Sequence, residues 1–208
     1  MKIINVDQGT QEWLDLRVGK ITGTRLKSVM GSKKVREELI YELIAEELTG
    51  VQEQLYKNAA MQWGSDHEDM AVLVYEHIHK VKTEKVGFCI SDEFDFLGLS
   101  PDRLIKKGKN YVKAVEVKAP TTKTAVKYIV DGKVPAEYKW QVVNYFLVNE
   151  KLKELDFVIY DPRITIPTLQ LTVISVARKT VSEDVAKAKE VLATFKKEWE
   201  AVRNKIIT

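Results

Sequence analysis

The chain has 208 residues, of which 45% are hydrophobic and 30% charged, and its formal net charge is +3 at pH 7. This apolar content is enough for one substantial core, and no Pro-, Gly- or Ser-rich linker divides the sequence, so we expect a single domain over residues 1–208. No stretch approaches the roughly 18 consecutive apolar residues of a membrane helix, and the lone Cys89 excludes an internal disulfide framework. These features argue against secreted and membrane-embedded proteins, and we expect a soluble cytoplasmic one.

Hydrophobic periodicity and turn residues predict alternating helices and strands along the chain. The predicted helices cover 10–16, 22–30, 34–48, 61–76, 123–131, 136–149 and 181–203. The predicted strands cover 81–90, 94–99, 103–106, 111–118, 154–160 and 168–177. Elements of these types in this order predict an α/β fold with a mixed central sheet flanked by helices on both faces.

Two acidic residues and a lysine are predicted to meet beside a β-hairpin. Alternating apolar residues around Glu116 and Lys118 predict a strand that directs both charged side chains to one face. The preceding strand stops at Pro101, and the turn-forming run 106–110 would bring Asp102 back beside Glu116. Carboxylates bind hard divalent ions such as Mg²⁺ or Mn²⁺, and a lysine can orient water or stabilise developing negative charge. The combination indicates metal-dependent hydrolysis of a phosphodiester.

Two helical residues add polar groups to this candidate site. Glu68 lies on the apolar face of its predicted helix, which directs the carboxylate inward. It would either join the metal site or form a buried ion pair with a cation such as Lys118. Gln141 shares a helical face with Tyr138 and Tyr145, an arrangement suited to holding a substrate phosphate or a water. The alternative for Gln141 is a polar rim position on an ordinary amphipathic helix.

Six blocks of sequence carry a resemblance to a known family. They lie in the order 13–24, 63–68, 99–102, 116–120, 141 with 145, and 160–163. Together these blocks resemble phage lambda exonuclease and the YqaJ-like viral recombinases of the PD-(D/E)XK nuclease superfamily, over about residues 8–165. The resemblance implies a restriction-endonuclease-like core.

The resemblance also implies an activity. Its members degrade one strand of linear double-stranded DNA in the 5′→3′ direction, release 5′-mononucleotides and leave 3′ single-stranded tails for an annealing protein. Lambda-type exonucleases are ring-shaped trimers, so we expect a homotrimer that binds double-stranded DNA ends. Such a phage- or prophage-encoded enzyme would act in the cytoplasm of a bacterial host.

The same resemblance implies roles for the acidic residues and the lysine. Asp102, Glu116 and the backbone carbonyl of Val117 would hold two Mg²⁺ ions, for which Mn²⁺ can substitute. Glu68 matches the helical acidic residue of the site and is a further candidate metal ligand. Lys118 matches the catalytic lysine.

The resemblance makes Gln141 a catalytic residue that supports the scissile phosphate and its water, and Tyr145 a substrate-binding residue. His67 stands next to Glu68, and an imidazole in the metal shell would favour Mn²⁺ over Mg²⁺. Adjacent helical residues point about 100° apart, however, so if Glu68 faces the site we expect His67 to face elsewhere.

Arg17 and Thr24 match positions near the 5′-phosphate pocket of these exonucleases. A planar guanidinium and a hydroxyl can contact a terminal dianion together. The alternative for Arg17 is a surface ion pair with Asp15 or Glu12.

Positive charge is concentrated in two segments of the chain. Residues 1–36 carry eight Lys/Arg against three Asp/Glu, and residues 118–139 carry five lysines against two acidic residues. Contact with the phosphate backbone would explain these excesses, and a solvated lysine surface is the alternative.

Other functions stay open from the sequence alone. A structure-specific endonuclease of the same superfamily would share the metal site and differ in how DNA enters. A catalytically silent DNA-binding module would require all the acidic residues to be idle. The sequence lacks the cysteine set of iron–sulfur nucleases and any His/Cys cluster with zinc-ligand spacing.

Overall fold

The computed structural model describes residues 1–52 and 59–207 of the chain. The helices are α1 (Gln11–Arg17), α2 (Leu26–Val29), α3 (Lys33–Thr49), α4 (Ala59–His79), α5 (Thr122–Asp131), α6 (Lys139–Val148), α7 (Pro167–Gln170) and α8 (Ser182–Arg203). The strands are β1 (Lys2–Ile4), β2 (Phe88–Ile90), β3 (Gly98–Leu99), β4 (Arg103–Lys107), β5 (Asn110–Lys118), β6 (Glu154–Tyr160) and β7 (Leu171–Ala177). Short 3₁₀ turns, Ala136–Tyr138 and Arg178–Val181, lead into α6 and α8.

The described strands form two sheets. In the larger sheet the order is β4-β5-β6-β7, with β5 and β6 parallel and the outer pairs antiparallel. The parallel pair requires a crossover, which α5 and α6 supply. In the smaller sheet β2 pairs antiparallel with both β1 and β3. The larger sheet is therefore mixed, as the sequence predicted.

Helices cover both faces of the mixed sheet. On one face, Ala71, Val72 and Tyr75 of α4 pack against Val115 and Val117 of β5. On the other face, α3, α6 and α8 contribute to a larger core that also contains apolar side chains of β5 and β6. The predicted α/β class, with a mixed sheet flanked by helices, is confirmed.

Capping residues explain where several helices begin and end. Thr10 precedes α1 and its side chain accepts a hydrogen bond from the backbone N–H of Trp13, and Thr121 caps α5 in the same way. Gly50 ends α3 with φ +69°, and Gly132 ends α5 with φ +58°. This left-handed backbone favours glycine, because a side chain would crowd the carbonyl.

Two predicted strands are much shorter in the structure than in the prediction. The strand predicted over 81–90 contracts to β2, and the strand predicted over 94–99 contracts to β3. Between them the hydroxyl of Ser91 accepts hydrogen bonds from the backbone N–H groups of Glu93 and Phe94. This side-chain bonding forms a turn and removes the segment from the sheet.

Other boundaries differ for similar local reasons. The helix predicted from residue 22 begins at Leu26, because Ile21 forms a β-bridge with Leu97 and a turn follows it. The strand predicted from residue 168 begins at Leu171, after the short helix α7. Strand β1 was not predicted.

Cys89 lies fully buried in β2, and burial raises the pKa of its thiol to about 12. This environment suits an inert core residue. Among the described residues, no helix combines the length and the apolar character needed to span a membrane.

Candidate active site

The β4–β5 hairpin brings the two predicted metal-binding carboxylates together. Arg103 at the start of β4 pairs with Val115 of β5, so Asp102 lies beside Glu116. Asp102 Oδ2 accepts a hydrogen bond of 2.7 Å from the backbone N–H of Val117. The chain reverses at Gly108, whose φ of +61° suits a tight turn.

Glu116 is the centre of a hydrogen-bonded group that contains three other predicted site residues. Its side chain is buried, with Oε1 accepting from Lys118 Nζ and from Gln141 Nε2, both at 2.6 Å. Its Oε2 accepts a hydrogen bond from the hydroxyl of Tyr145. Strand β5 and helix α6 therefore deliver their predicted polar residues to one carboxylate.

Tyr145 differs from its predicted role. Its side chain is fully buried, and its hydroxyl donates to Glu116. A direct contact with substrate is therefore not what the structure favours, and Tyr145 instead fixes the carboxylate that it contacts. Gln141 packs closely on the chain at Gly23, where a Cβ atom would come within 3.2 Å of the Gln141 Cγ atom.

The acidic residues of the site act electrostatically on one another. Burial, the charge of Glu116 and the charge of Glu68 raise the pKa of Asp102 well above its usual range. Burial alone would lower the pKa of Lys118, but the charges of Glu116 and Asp102 outweigh the effect of burial and raise that pKa. Burial and Glu116 also raise the pKa of Tyr145. Lys118 is therefore held as a cation, and ionisation of Asp102 is disfavoured by its burial and by the neighbouring carboxylates.

Glu68 has a partner that the sequence analysis missed. Its Oε1 accepts a hydrogen bond from Arg103 Nη1 at 3.1 Å, so Glu68 forms the ion pair of the predicted alternative, with Arg103 in place of Lys118. Arg103 Nη1 also donates to the backbone carbonyl of Asp102 at 2.6 Å, and Nη2 donates to Asp69. The signal in the sequence was an arginine directly after Asp102, at the start of a strand that continues with apolar residues.

His67 is held against its own helix. Its Nδ1 lies 2.8 Å from the carbonyl oxygen of Trp63, and the two rings stack with centroids 3.7 Å apart. The guanidinium of Arg163 lies 4.5 Å from the centroid of the Trp63 ring and also pairs with Asp161. The sequence block 160–163 therefore contacts the block that contains Glu68.

Arg17 and Thr24 line a cleft of about 1200 Å³ that also reaches Glu68. Arg17 lies 4.3 Å from the ring centroid of Trp13, and its Nη1 is 3.4 Å from Ser100 Oγ. Trp13 Nε1 donates to the same Ser100 oxygen at 2.9 Å. Ser100, like Arg103, has no role predicted from the sequence.

Arg17 has no carboxylate partner among the described residues. Its remaining hydrogen bonds go to Gln52 and Thr22, at 3.3 and 3.4 Å, so the alternative of pairing with Asp15 or Glu12 is wrong. Burial and the nearby positive charge of Arg25 lower its pKa to about 10.

Arg25 lines the same cleft but is neutralised. Its guanidinium forms ion pairs with Glu42 and with Glu46, and Glu46 is almost fully buried. Of these two arginines, Arg17 is therefore the one whose charge is available to an anion in the cleft.

In the described part of the chain, no three His, Cys, Asp or Glu side chains are arranged as a metal-holding cluster. The donors at the site nevertheless fit a hard divalent cation. Asp102 and Glu116 supply carboxylate oxygens, the ligand type that Mg²⁺ prefers. Val117, the residue between Glu116 and Lys118 in β5, has a backbone carbonyl as a further oxygen donor. A cation would also offset the burial and the carboxylate repulsion that together raise the pKa of Asp102.

Residues 12–151 match the YqaJ-like viral recombinase domain. The chain belongs to the YqaJ-like viral recombinase family. This YqaJ-like protein therefore has the family membership that the six sequence blocks predicted.

Solved structures of exonucleases share the fold of this YqaJ-like protein. The alkaline exonuclease LHK-Exo from Laribacter hongkongensis is 31% identical, with a TM-score of 0.77 over 94% of this chain and 97% of that chain. LHK-Exo in complex with dAMP is 30% identical, with a TM-score of 0.79 over the same shares. A phage-related exonuclease from Haemophilus somnus 129PT is 16% identical, with a TM-score of 0.62 over 90% of this chain and 96% of that chain, and shows the fold alone. No curated protein matches the chain. Family and neighbours together support a DNA exonuclease role.

Proposed function

We propose that this YqaJ-like protein is a metal-dependent exonuclease that degrades one strand of linear double-stranded DNA in the 5′→3′ direction. It would release 5′-mononucleotides and leave 3′ single-stranded tails for recombination by strand annealing. The observation that carries the proposal is the hydrogen-bonded group around Glu116, which joins Lys118 and Gln141 beside Asp102.

Asp102, Glu116 and the carbonyl of Val117 would hold Mg²⁺, with two ions expected and Mn²⁺ able to substitute. When bound, the ions would activate an attacking water and neutralise charge on the scissile phosphate. Glu68 is a further candidate ligand from the facing helix, and it is paired with Arg103.

Lys118 and Gln141 would act on the substrate from the Glu116 side of the site. Lys118 keeps its proton, because the carboxylates around it raise its pKa, so Nζ can stabilise negative charge on the phosphate and on the leaving oxygen. The amide of Gln141 can support the phosphate or orient a water. Tyr145 would hold Glu116 in place through its buried hydroxyl.

The cleft between Arg17 and Glu68 would receive the DNA end. A 5′-phosphate near Arg17 would find an arginine without an acidic partner among the described residues and the hydroxyls of Ser100 and Thr24. A guanidinium and hydroxyls of this kind recognise a terminal dianion. The cleft also reaches the side chain of Glu68, so this pocket would lie beside the hydrolytic site.

The resemblance supports further proposals about assembly and location. We infer a homotrimeric ring around the duplex, an annealing protein as partner, and a phage or prophage origin with action in the cytoplasm of a bacterial host. Light scattering on the purified protein tests the ring, since three chains are expected and a stable monomer would exclude it.

A time course on linear duplex DNA tests the activity. DNA labelled at the 5′ or the 3′ end is incubated with Mg²⁺ beside a closed circular duplex, with the Asp102→Asn variant as matched control. Early loss of the 5′ label as mononucleotide with an intact circle is expected. Cutting of the circle would favour a structure-specific endonuclease, and no cleavage at all would favour a silent DNA-binding module.

A further inference from the structure

The buried guanidinium of Arg103 lies within the carboxylate cluster of the site. We propose that Arg103 is a resident counterion of this cluster and that its fixed positive charge weakens the binding of divalent cations. The inference rests on the proposed metal-dependent function and adds a residue to which neither the sequence blocks nor the proposed mechanism gives a role.

Three contacts hold Arg103 in this position. Its side chain is 9% exposed, and Nη1 donates both to Glu68 Oε1 at 3.1 Å and to the backbone carbonyl of Asp102 at 2.6 Å. Its Nη2 donates to Asp69, the neighbour of Glu68 on α4. Arg103 therefore joins the helix that carries Glu68 to the strand that follows Asp102.

The charge of Arg103 changes the electrostatic balance of the site. The carboxylates of Asp102, Glu116 and Glu68 act on one another; Lys118 pairs with Glu116, and Arg103 pairs with Glu68 and with Asp69. When all are ionised, these four acidic and two basic groups leave two net negative charges, and removal of Arg103 would leave three.

The additional negative charge at the site would strengthen its attraction for a divalent cation. The interaction takes place in a partly buried environment, where charges are screened less than in water. We therefore expect loss of the Arg103 charge to tighten cation binding by about tenfold or more.

A purely structural role for Arg103 does not predict tighter cation binding when the residue is replaced. If the residue only tied α4 to β4, its removal would loosen the arrangement of Glu68 and Asp102. Cation binding would then weaken or stay the same, and the melting temperature would fall.

The test is calorimetric titration of MnCl₂ and of MgCl₂ into the metal-free protein at pH 8 without DNA. Arg103→Met and Arg103→Gln remove the charge, and the glutamine variant retains hydrogen-bonding capacity should the methionine variant fail to fold. Both should show a dissociation constant about tenfold lower than that of the wild type. Arg103→Lys keeps the charge and should bind as the wild type does. Unchanged or weaker binding by the folded charge-removing variants would overturn the proposal. Binding by Arg103→Lys as tight as that of the charge-removing variants would overturn it as well.

Two controls separate this inference from the proposed function. Arg203→Met makes the same charge change at an exposed ion pair with Glu47, and it should leave cation binding unchanged. Asp102→Asn should abolish the binding. If the wild type binds no divalent cation, or if Asp102→Asn binds as well as the wild type, the proposed metal site fails. If the site binds cations but Arg103→Met and Arg103→Gln do not tighten it, only the counterion proposal fails.

Discussion

Replacement of Arg17 by alanine should reduce activity on DNA ends that carry a 5′-phosphate and spare ends that carry a 5′-hydroxyl. The side chain is partly buried beside Trp13, and its hydrogen bonds go to neutral partners at 3.3–3.4 Å. These long contacts with uncharged groups do not neutralise the guanidinium. Most of its interaction energy is therefore available to an incoming dianion.

The size of the effect follows from the type of bond that is lost. A hydrogen bond to a charged group contributes about 1.5–3 kcal/mol. At about 1.4 kcal/mol for each tenfold change, kcat/KM for phosphorylated ends should fall about 10- to 150-fold. For hydroxyl ends the loss should stay within about threefold, because no dianion is present. Arg17→Lys retains the charge but loses the planar fork, and its loss on phosphorylated ends should be intermediate.

The assay compares two linear duplexes that are identical except for the 5′-terminal group. Initial rates of mononucleotide release are measured for the wild type, Arg17→Ala and Arg17→Lys at several DNA concentrations below saturation. Equal losses on the two substrates would refute the assignment of Arg17 to a phosphate pocket. Full activity of Arg17→Ala on phosphorylated ends would refute it as well.

Further predictions concern the hydrolytic site. Lys118→Ala should lower kcat about 10²- to 10³-fold without a comparable change in DNA affinity, as measured by single-turnover kinetics and a binding titration, and near-normal turnover would remove it from the mechanism. Tyr145→Phe deletes only the hydroxyl that holds Glu116 and should destabilise the protein by about 1.5–3 kcal/mol in urea unfolding, and an unchanged midpoint would contradict the bond. EDTA should stop cleavage and added Mg²⁺ should restore it, so sustained cleavage in EDTA would exclude metal dependence. Burial and the charges of Glu116 and Glu68 raise the pKa of Asp102 in the folded protein. Above about pH 4 the folded state therefore binds more protons than the unfolded chain. The stability of the protein falls as pH rises from the pKa of Asp102 in the unfolded chain to its pKa in the folded protein. Asp102→Asn should therefore raise the melting temperature of the metal-free protein by about 2–4 °C at pH 8, and a lower melting temperature would contradict this sign.

Local sequence signals were sufficient for the part of the site that lies on one hairpin. Asp102 and Glu116 belong to adjacent strands joined by a tight turn, so alternation and turn residues predict their proximity. The alternating pattern likewise predicts that Lys118 reaches Glu116 on the same face of β5. These contacts depend on short stretches of chain.

Contacts between distant elements were harder to predict. Arg103 reaches Glu68 across 35 positions of sequence, and this pairing depends on how α4 packs against the mixed sheet. Strand β1 has three residues and pairs with β2, so its own sequence carries little pattern. The helical face of Tyr145 is evident in the sequence, but its burial under Glu116 depends on the packing of α6. Side-chain chemistry alone does not specify such packing.

The turn of the β4–β5 hairpin offers a position for attaching a spectroscopic probe. Lys107 and Asn110 form the last pair of the ladder, both exposed, and Gly108 introduces the reversal between them. At about 3.3 Å for each residue of strand, Lys107 lies roughly 13 Å along β4 from Arg103. Because Cys89 is fully buried, a cysteine introduced at Lys109 would react selectively with a maleimide fluorophore. Such a label would report on the approach of DNA to the acidic residues without replacing any of them.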